Sequence, residues 1–472
     1  MKRIVENIKS FVLTFLIILS LVLTGSLWFD NYQGLFLLVS TLPNNIVNTF
    51  SNNDEYSIIY DEIILPYKLT VINPDENRWI FYQNDIMTQT AWNIVKERLN
   101  DADESNIITG RIKEWQNLID RKSIIFEFSG TMDFDVLRLI IPNLNKESNA
   151  FNNVEKIAVA KSLDGNTIYI LQNDNGKKAL YKVLLKGDDI EIDNFMKSCE
   201  NIKTNAKYLK LFEVGTTKFF GNKEVISDNL VLFPVANTKS RRNKVGQIKV
   251  TPHINVDNEY EINRFIIDIF NSTDFTKFVT TDLNNIFVND DKSTIKFENN
   301  GVIEYINNSK LNEEGTSTGK NFNVAMDFIN GIKSYDNLFL ISAKDEDGTD
   351  TFRFSHSING IILGFETPII ENDHHVVFEI KVKNGSVRYF KGKLLNIEEL
   401  NGENYISNFT HNILDGMLGG IDTDTKINIS LLEHMYLVDV DGNHYPKWIA
   451  DYKVLNSDEE KSNVFGMLCF II

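Results

Sequence analysis

An uncharged apolar run from Ser10 to Phe29 lies between a basic flank, Lys2, Arg3 and Lys9, and the next charge at Asp30. A helix of about 20 residues crosses the roughly 30 Å hydrocarbon core of a bilayer once. Lys2, Arg3 and Lys9 outweigh Glu6, and the positive-inside bias then keeps the N-terminus in the cytoplasm and sends the rest of the chain outside. A cleaved signal peptide would have a shorter apolar stretch of about 7–15 residues ending in a small-x-small site. Here the run closes on Leu27-Trp28-Phe29, an aromatic interfacial belt, although Thr24-Gly25-Ser26 leave cleavage open. The expectation is a cytoplasmic stub at 1–9, a transmembrane helix at 10–29 and a linker at 30–55, followed by an extracellular body. The expected protein is a single-pass protein of the cell membrane.

The body is acidic. Asp and Glu number 65 against 48 Lys and Arg, a net charge of −17, which argues against nucleic acid, whose phosphates need a basic face. Two cysteines, Cys199 and Cys469, stand far apart and are expected to be free thiols. At about 150 residues per domain the body has room for three domains. Composition breaks and turn residues place them at 56–204, 205–314 and 321–472. Leu311 to Gly319 reads as the clearest linker.

Each of these units mixes helical and strand periodicity, so the fold class is α+β: antiparallel sheets with packed helices. Strands are predicted at Ile63–Ile72, Trp79–Tyr82 and Ile124–Phe128, and a helix at Thr90–Leu99. A three-strand meander follows at 157–160, 167–171 and 179–183. In the middle unit Ile262, Phe265, Ile266, Ile269 and Phe270 give one apolar face to a helix from Glu259 to Phe270, and Asn300-Gly301 turns a hairpin. The last unit opens with a helix at Val324–Ile329 and continues in strands near 352–354, 361–365, 375–382 and 387–394.

Catalytic signatures are missing. Asp345–Asp350 and Asp439–Asn443 lack a Glu at the twelfth position of a calcium loop, where His356 and Ala450 stand instead, so both read as turns. His374-His375 precedes a strand, where neighbours point to opposite faces and cannot share a metal. There is no Gly-x-Ser-x-Gly elbow and no phosphate loop. No enzyme activity, metal or cofactor is expected. Two sets of residues are candidates for interaction. On the membrane helix Ser10, Thr14, Ile17, Leu21, Thr24 and Trp28 fall within roughly 40° of one line, a face where hydroxyl groups can hydrogen-bond across helices. In the body Lys239, Arg241, Arg242 and Lys244 form the one dense basic patch, suited either to solvent or to an acidic partner.

Several segments, in order, resemble one family. Leu21-Val22-Leu23-Thr24-Gly25-Ser26-Leu27-Trp28 is similar to the start of the YycH family. Phe275–Val279 leading through Asn299–Tyr305 resembles the end of that family's middle domain. Phe352–Ile361 resembles a strand ending in Asn-Gly that YycH shares with its partner YycI, and Tyr436 with Tyr445–Ile449 resembles the closing Pro-x-Trp strand. The family's prolines are mostly missing here, and Leu35–Val39 is unusually apolar. The resemblance implies a membrane-anchored regulator of the YycG (WalK) sensor histidine kinase of low-GC Gram-positive bacteria. It would act with a YycI-like single-helix protein, largely through membrane helices, in cell wall homeostasis. It carries over no catalytic residue. An anchored wall-modifying enzyme and an anchored ligand-binding ectodomain are the alternatives.

Overall fold

The computed structural model describes residues 60–470, with breaks of which the longest are 211–223, 235–243, 407–425 and 456–464. Runs of β-branched and aromatic residues become strands in its first part. These are β1 (Lys68–Ile72), β2 (Arg78–Tyr82), β3 (Ile107–Gly110), β4 (Ser123–Asp133), β5 (Asn153–Ser162), β6 (Gly165–Asp174) and β7 (Lys177–Leu184). The helices are α1 (Ile86–Asn100), α2 (Ile112–Gln116), α3 (Phe134–Leu137) and α4 (Ile190–Asn201). Antiparallel pairing orders the strands β2-β1-β4-β5-β6-β7-β3.

Helix α1 begins where the Asp85 carboxylate accepts the Met87 N–H at 2.8 Å. It buries Ala91, Trp92, Val95 and Leu99, and the Trp92 ring lies 5.3 Å from Phe126 and 5.8 Å from Phe128. Those two residues share one face of β4. On the other face Ile125 packs with Ala158, Tyr169, Leu171 and Leu180, closed over by Leu118 and by Ile112 and Trp115 of α2. Helix α4 buries Ile192, Phe195, Met196 and Cys199.

Cys199 is a free thiol. Burial pushes it up to about 12, with Glu200 nearby acting in the same direction. The thiolate is the nucleophile, so the Cys199 peptide should stay unlabelled by iodoacetamide at pH 8 in the folded protein and react in denaturant. Native labelling at the rate of a free thiol would show that α4 does not cover it.

The middle part contributes β8 (Tyr208–Lys210), β9 (Glu224–Ile226), β10 (Leu232–Pro234) and β11 (Lys244–Pro252), then α5 (Glu259–Phe270) and the meander β12 (Thr276–Val279), β13 (Ile286–Asn289), β14 (Ser293–Phe297) and β15 (Val302–Asn307). The last part holds α6 (Thr318–Gly331), β16 (Leu338–Glu346), β17 (Thr349–Ile358), β18 (Ile361–Gly364), β19 (Phe378–Lys383), β20 (Ser386–Lys393), β21 (Leu395–Ile406), β22 (Lys426–Leu437), β23 (Gly442–His444), β24 (Pro446–Leu455) and β25 (Phe465–Phe470). Thr318 and Gly319, expected at the end of a linker, instead form the first turn of α6, with Ser317 as its N-cap. The expected strand from Ile63 is shorter, beginning only at Lys68.

Strand pairing runs across these parts of the chain. β15 pairs with β20 and β11 with β21. β4 meets β16 in a parallel bridge, Met132 to Ala343. A core cluster joins Tyr67 and Tyr82 to Phe339, Ile341, Ile362 and Val376. The result is an α+β body dominated by sheet, with few helices, and all the described elements belong to one unit that begins at Asp61. Gly392 shows how tightly it is built. It stands opposite Phe378, and a Cβ there would run into the Phe378 side chain and the Val377 carbonyl.

Candidate interaction surface

The residues expected to line the membrane helix, Ser10, Thr14, Ile17, Leu21, Thr24 and Trp28, lie outside the described residues. So do Lys239, Arg241 and Arg242 of the basic patch. Lys244 opens β11, in register with Ile406. Among the described residues no helix is long and apolar enough to cross a membrane, and no three His, Cys, Asp or Glu side chains gather as metal ligands.

What the structure does assemble is a two-faced sheet in the order β12-β13-β14-β15-β20-β19-β17-β16. Alternation sends one set of side chains to each face. One register row, Val288, Ile295, Tyr305, Phe390, Ile380 and Phe352, is buried throughout. Helices cover it: Phe265 of α5 lies 5.8 Å from Phe297, Phe322 of α6 lies 5.3 Å from Phe352, and Phe328 lies 5.5 Å from Phe390.

The adjacent row points the other way, and its charges alternate. From the edge inward it reads Phe278, Phe287, Lys296, Glu304, Lys391, Glu379 and Arg353, each residue in register with the next. Opposite charges facing each other across strands stabilise a sheet by about 0.2–1 kcal/mol per pair. The Arg353 Nε donates to Glu379 Oε2 at 2.7 Å, Lys381 reaches Glu379 Oε1 at 3.4 Å, and Tyr389 donates its hydroxyl to Glu304 at 3.0 Å. Burial works against the Arg353 charge, but the bonded Glu379 holds its pKa above the ordinary guanidinium value. Burial, reinforced by Glu304, pushes the Tyr389 phenol up as well. Glu298 sits low despite its burial because Lys296 bonds it.

The row ends at an open edge. Phe278 stacks on Phe287 with centroids 5.7 Å apart and is 47% exposed, while Val279 and Ile306 are also exposed. Among the described residues β12 pairs only with β13, so its outer backbone groups offer a template for another strand. Matched charges stand beside an aromatic pair of which Phe278 is exposed; no nucleophile with a neighbouring base is among them. The sequence held a signal for this face, single charges set between large apolar residues in Phe352-Arg353-Phe354 and Phe378-Glu379-Ile380, but its alignment into one row needed the register.

The crystal structure of YycH from Bacillus subtilis superposes with a TM-score of 0.51 at 12% identity, covering 86% of this chain and 96% of that one. The chain has a YycH-like fold. The C-terminal domain of YpeB from Bacillus megaterium aligns over 45% of this chain and 97% of its own at 11% identity, but its TM-score of 0.25 is too low to indicate a shared architecture. No family model matches the sequence, and no curated protein matches it. The likeness therefore rests on three-dimensional arrangement.

Proposed function

We propose that this chain is a membrane-anchored, non-enzymatic regulator of a sensor histidine kinase. Its N-terminus would be cytoplasmic, its body extracellular, and its partner a YycI-like single-helix protein. The observation that carries this reading is the YycH-like fold over 86% of the chain, placed behind the apolar run Ser10–Phe29. A regulator of this kind shifts a two-state kinase only by binding its two states unequally. The membrane helix supplies one contact through Ser10, Thr14, Ile17, Leu21, Thr24 and Trp28. The body supplies a second, through the β12 edge or through the basic patch Lys239, Arg241, Arg242 and Lys244.

The test separates a packed helix from a plain anchor. Thr14→Leu with Thr24→Leu removes two hydroxyls and adds bulk on the proposed face while keeping insertion into lipid favourable. At about 0.6 kcal/mol per interhelical hydrogen bond plus lost close packing, the kinase balance should change roughly tenfold. Val12→Leu with Leu19→Ile, on the opposite side, should change it little. Co-purification with the kinase and transcription of the genes it controls are the measurements. If both pairs behave like the parent while deleting the body abolishes regulation, the helix is only an anchor.

A further inference from the structure

The corner where β4 runs into α3 carries an acid that nothing in the proposed function uses. Asp133 caps α3, accepting the Asp135 N–H at 2.8 Å. Across the strand pair it faces Asn153 of β5, whose Oδ1 is buried without a hydrogen-bond partner. Such an oxygen is served by a carboxylic acid O–H and not by a carboxylate.

The other elements packed around this corner bring further carboxylates. Asp345 comes from β16 and Asp350 from β17, and both act on Asp133, as does Asp135 from its own helix. The cation at hand, Arg138, is engaged on Asp135 at 2.8 Å. Asp350 is itself buried and tied to α6, accepting from Thr318 Oγ1 at 2.9 Å and from Asn321 Nδ2 at 2.5 Å. The corner is also a junction between distant parts of the chain. β4 bridges β16 one residue earlier, at Met132. The first turn of α6 presses so closely on α3 that a Cβ on Gly319 would lie 2.9 Å from the Asp135 carbonyl oxygen.

We propose that this junction is a proton-operated clasp, in which protonation of Asp133 draws the β4–α3 corner onto α6 and the β16–β17 hairpin, and its ionisation loosens them. Like charges at close range disfavour ionisation of each other, and burial adds to this. Burial pushes Asp133 up to about 7 from an ordinary 3.8; the Asp135 N–H bond opposes this, and the surrounding carboxylates add to the rise. A raised acid contributes stability that is complete below the unfolded value and is lost as pH rises through the folded one. The clasp therefore closes under mild acid and slackens in the neutral-to-alkaline range.

Hydrogen exchange of α3 and of the first turns of α6, corrected for intrinsic rates, tests this on the full chain at pH 5.5 and 8.0. Local opening should increase roughly tenfold or more between the two, as expected for a single proton linked across that window. Asp133→Asn keeps the cap and should hold both segments equally protected at the two pH values. Asp345→Asn, an exposed neighbour, should lower the midpoint of the parent's transition without touching the cap. A parent with pH-independent protection overturns the proposal, and so does an Asp133→Asn variant with the parent's pH dependence. Should Asp133→Asn fail to fold, an unmoved midpoint in Asp345→Asn overturns it alone.

Discussion

Phe378→Ala should cost about 3–5 kcal/mol of stability, the range for deleting a fully buried phenylalanine. Phe378 has no exposed surface. Its ring lies 5.2 Å from Phe354 and 5.8 Å from Phe390, and α6 closes the same layer through Phe322. The strands on either side are fixed by their own ladders, so the cavity has little freedom to collapse, and the cost grows with the volume left. With roughly 5–15 kcal/mol holding a whole domain, that is a large fraction. Urea unfolding should show a lower midpoint with an unchanged slope. Phe278→Ala, on the exposed edge, serves as the control and should cost about 1 kcal/mol or less. Equal losses in the two variants would contradict the two-faced sheet.

Glu127→Leu should be as damaging for an electrostatic reason. Glu127 lies in the middle of β4 between Lys68 of β1 and Lys156 of β5, both in direct register with it, at 3.1 Å and 2.9 Å. Glu127 and Lys156 are almost wholly buried. Removing the shared anion leaves two ammonium groups facing each other away from water, and breaking a buried pair in this way costs about 3–5 kcal/mol. Replacing Lys156 by Met alongside should recover much of the loss, because an apolar substitute removes the stranded charge. A Glu127→Leu protein as stable as the parent would mean that water reaches the site. The pH signature follows. Burial opposes ionisation of Glu127, but Lys156 and Lys68 outweigh it and hold its pKa below the ordinary value of 4.5. Its contribution is present above that value and is lost as pH falls through the folded one. Asp133 acts in the opposite sense, its contribution falling as pH rises towards its folded value.

Much of the local structure was legible in the sequence. Ile262, Phe265 and Ile266 place α5 at Glu259–Phe270, where it is found. The Asn300-Gly301 turn has the positive φ such a turn demands, 82° at Gly301. Helix α4 went unread although Ile192, Phe195, Met196 and Cys199 keep helical spacing, because turn and charge residues crowd its start. The acids from Asp345 to Asp350 looked like one turn. The turn is Asp347-Gly348, and Asp350 lies inside the protein. Glu127 showed only as a lone charge in Ile124-Ile125-Phe126-Glu127-Phe128. Its two lysines come from strands 59 residues before it (127 − 68) and 29 residues after it (156 − 127), and composition carries no record of which strands become neighbours.

Chain order and strand order disagree most at β11. Its inward residues Ile248 and Val250 are fully buried, but the strands on its two sides are β21 and β23, and the Gly246 carbonyl receives the hydroxyl of Tyr436, 190 residues later. β9 likewise awaits β22. Synthesis at about 5–20 residues per second would leave β11 without its first partner, β21, for roughly 8–30 s. During that interval Ile248 and Val250 face solvent in an extended, sticky strand, and loop closure of this length is slow. Truncations near the C-terminus should therefore show their first damage two hundred residues upstream, roughly the span that those late strands must close.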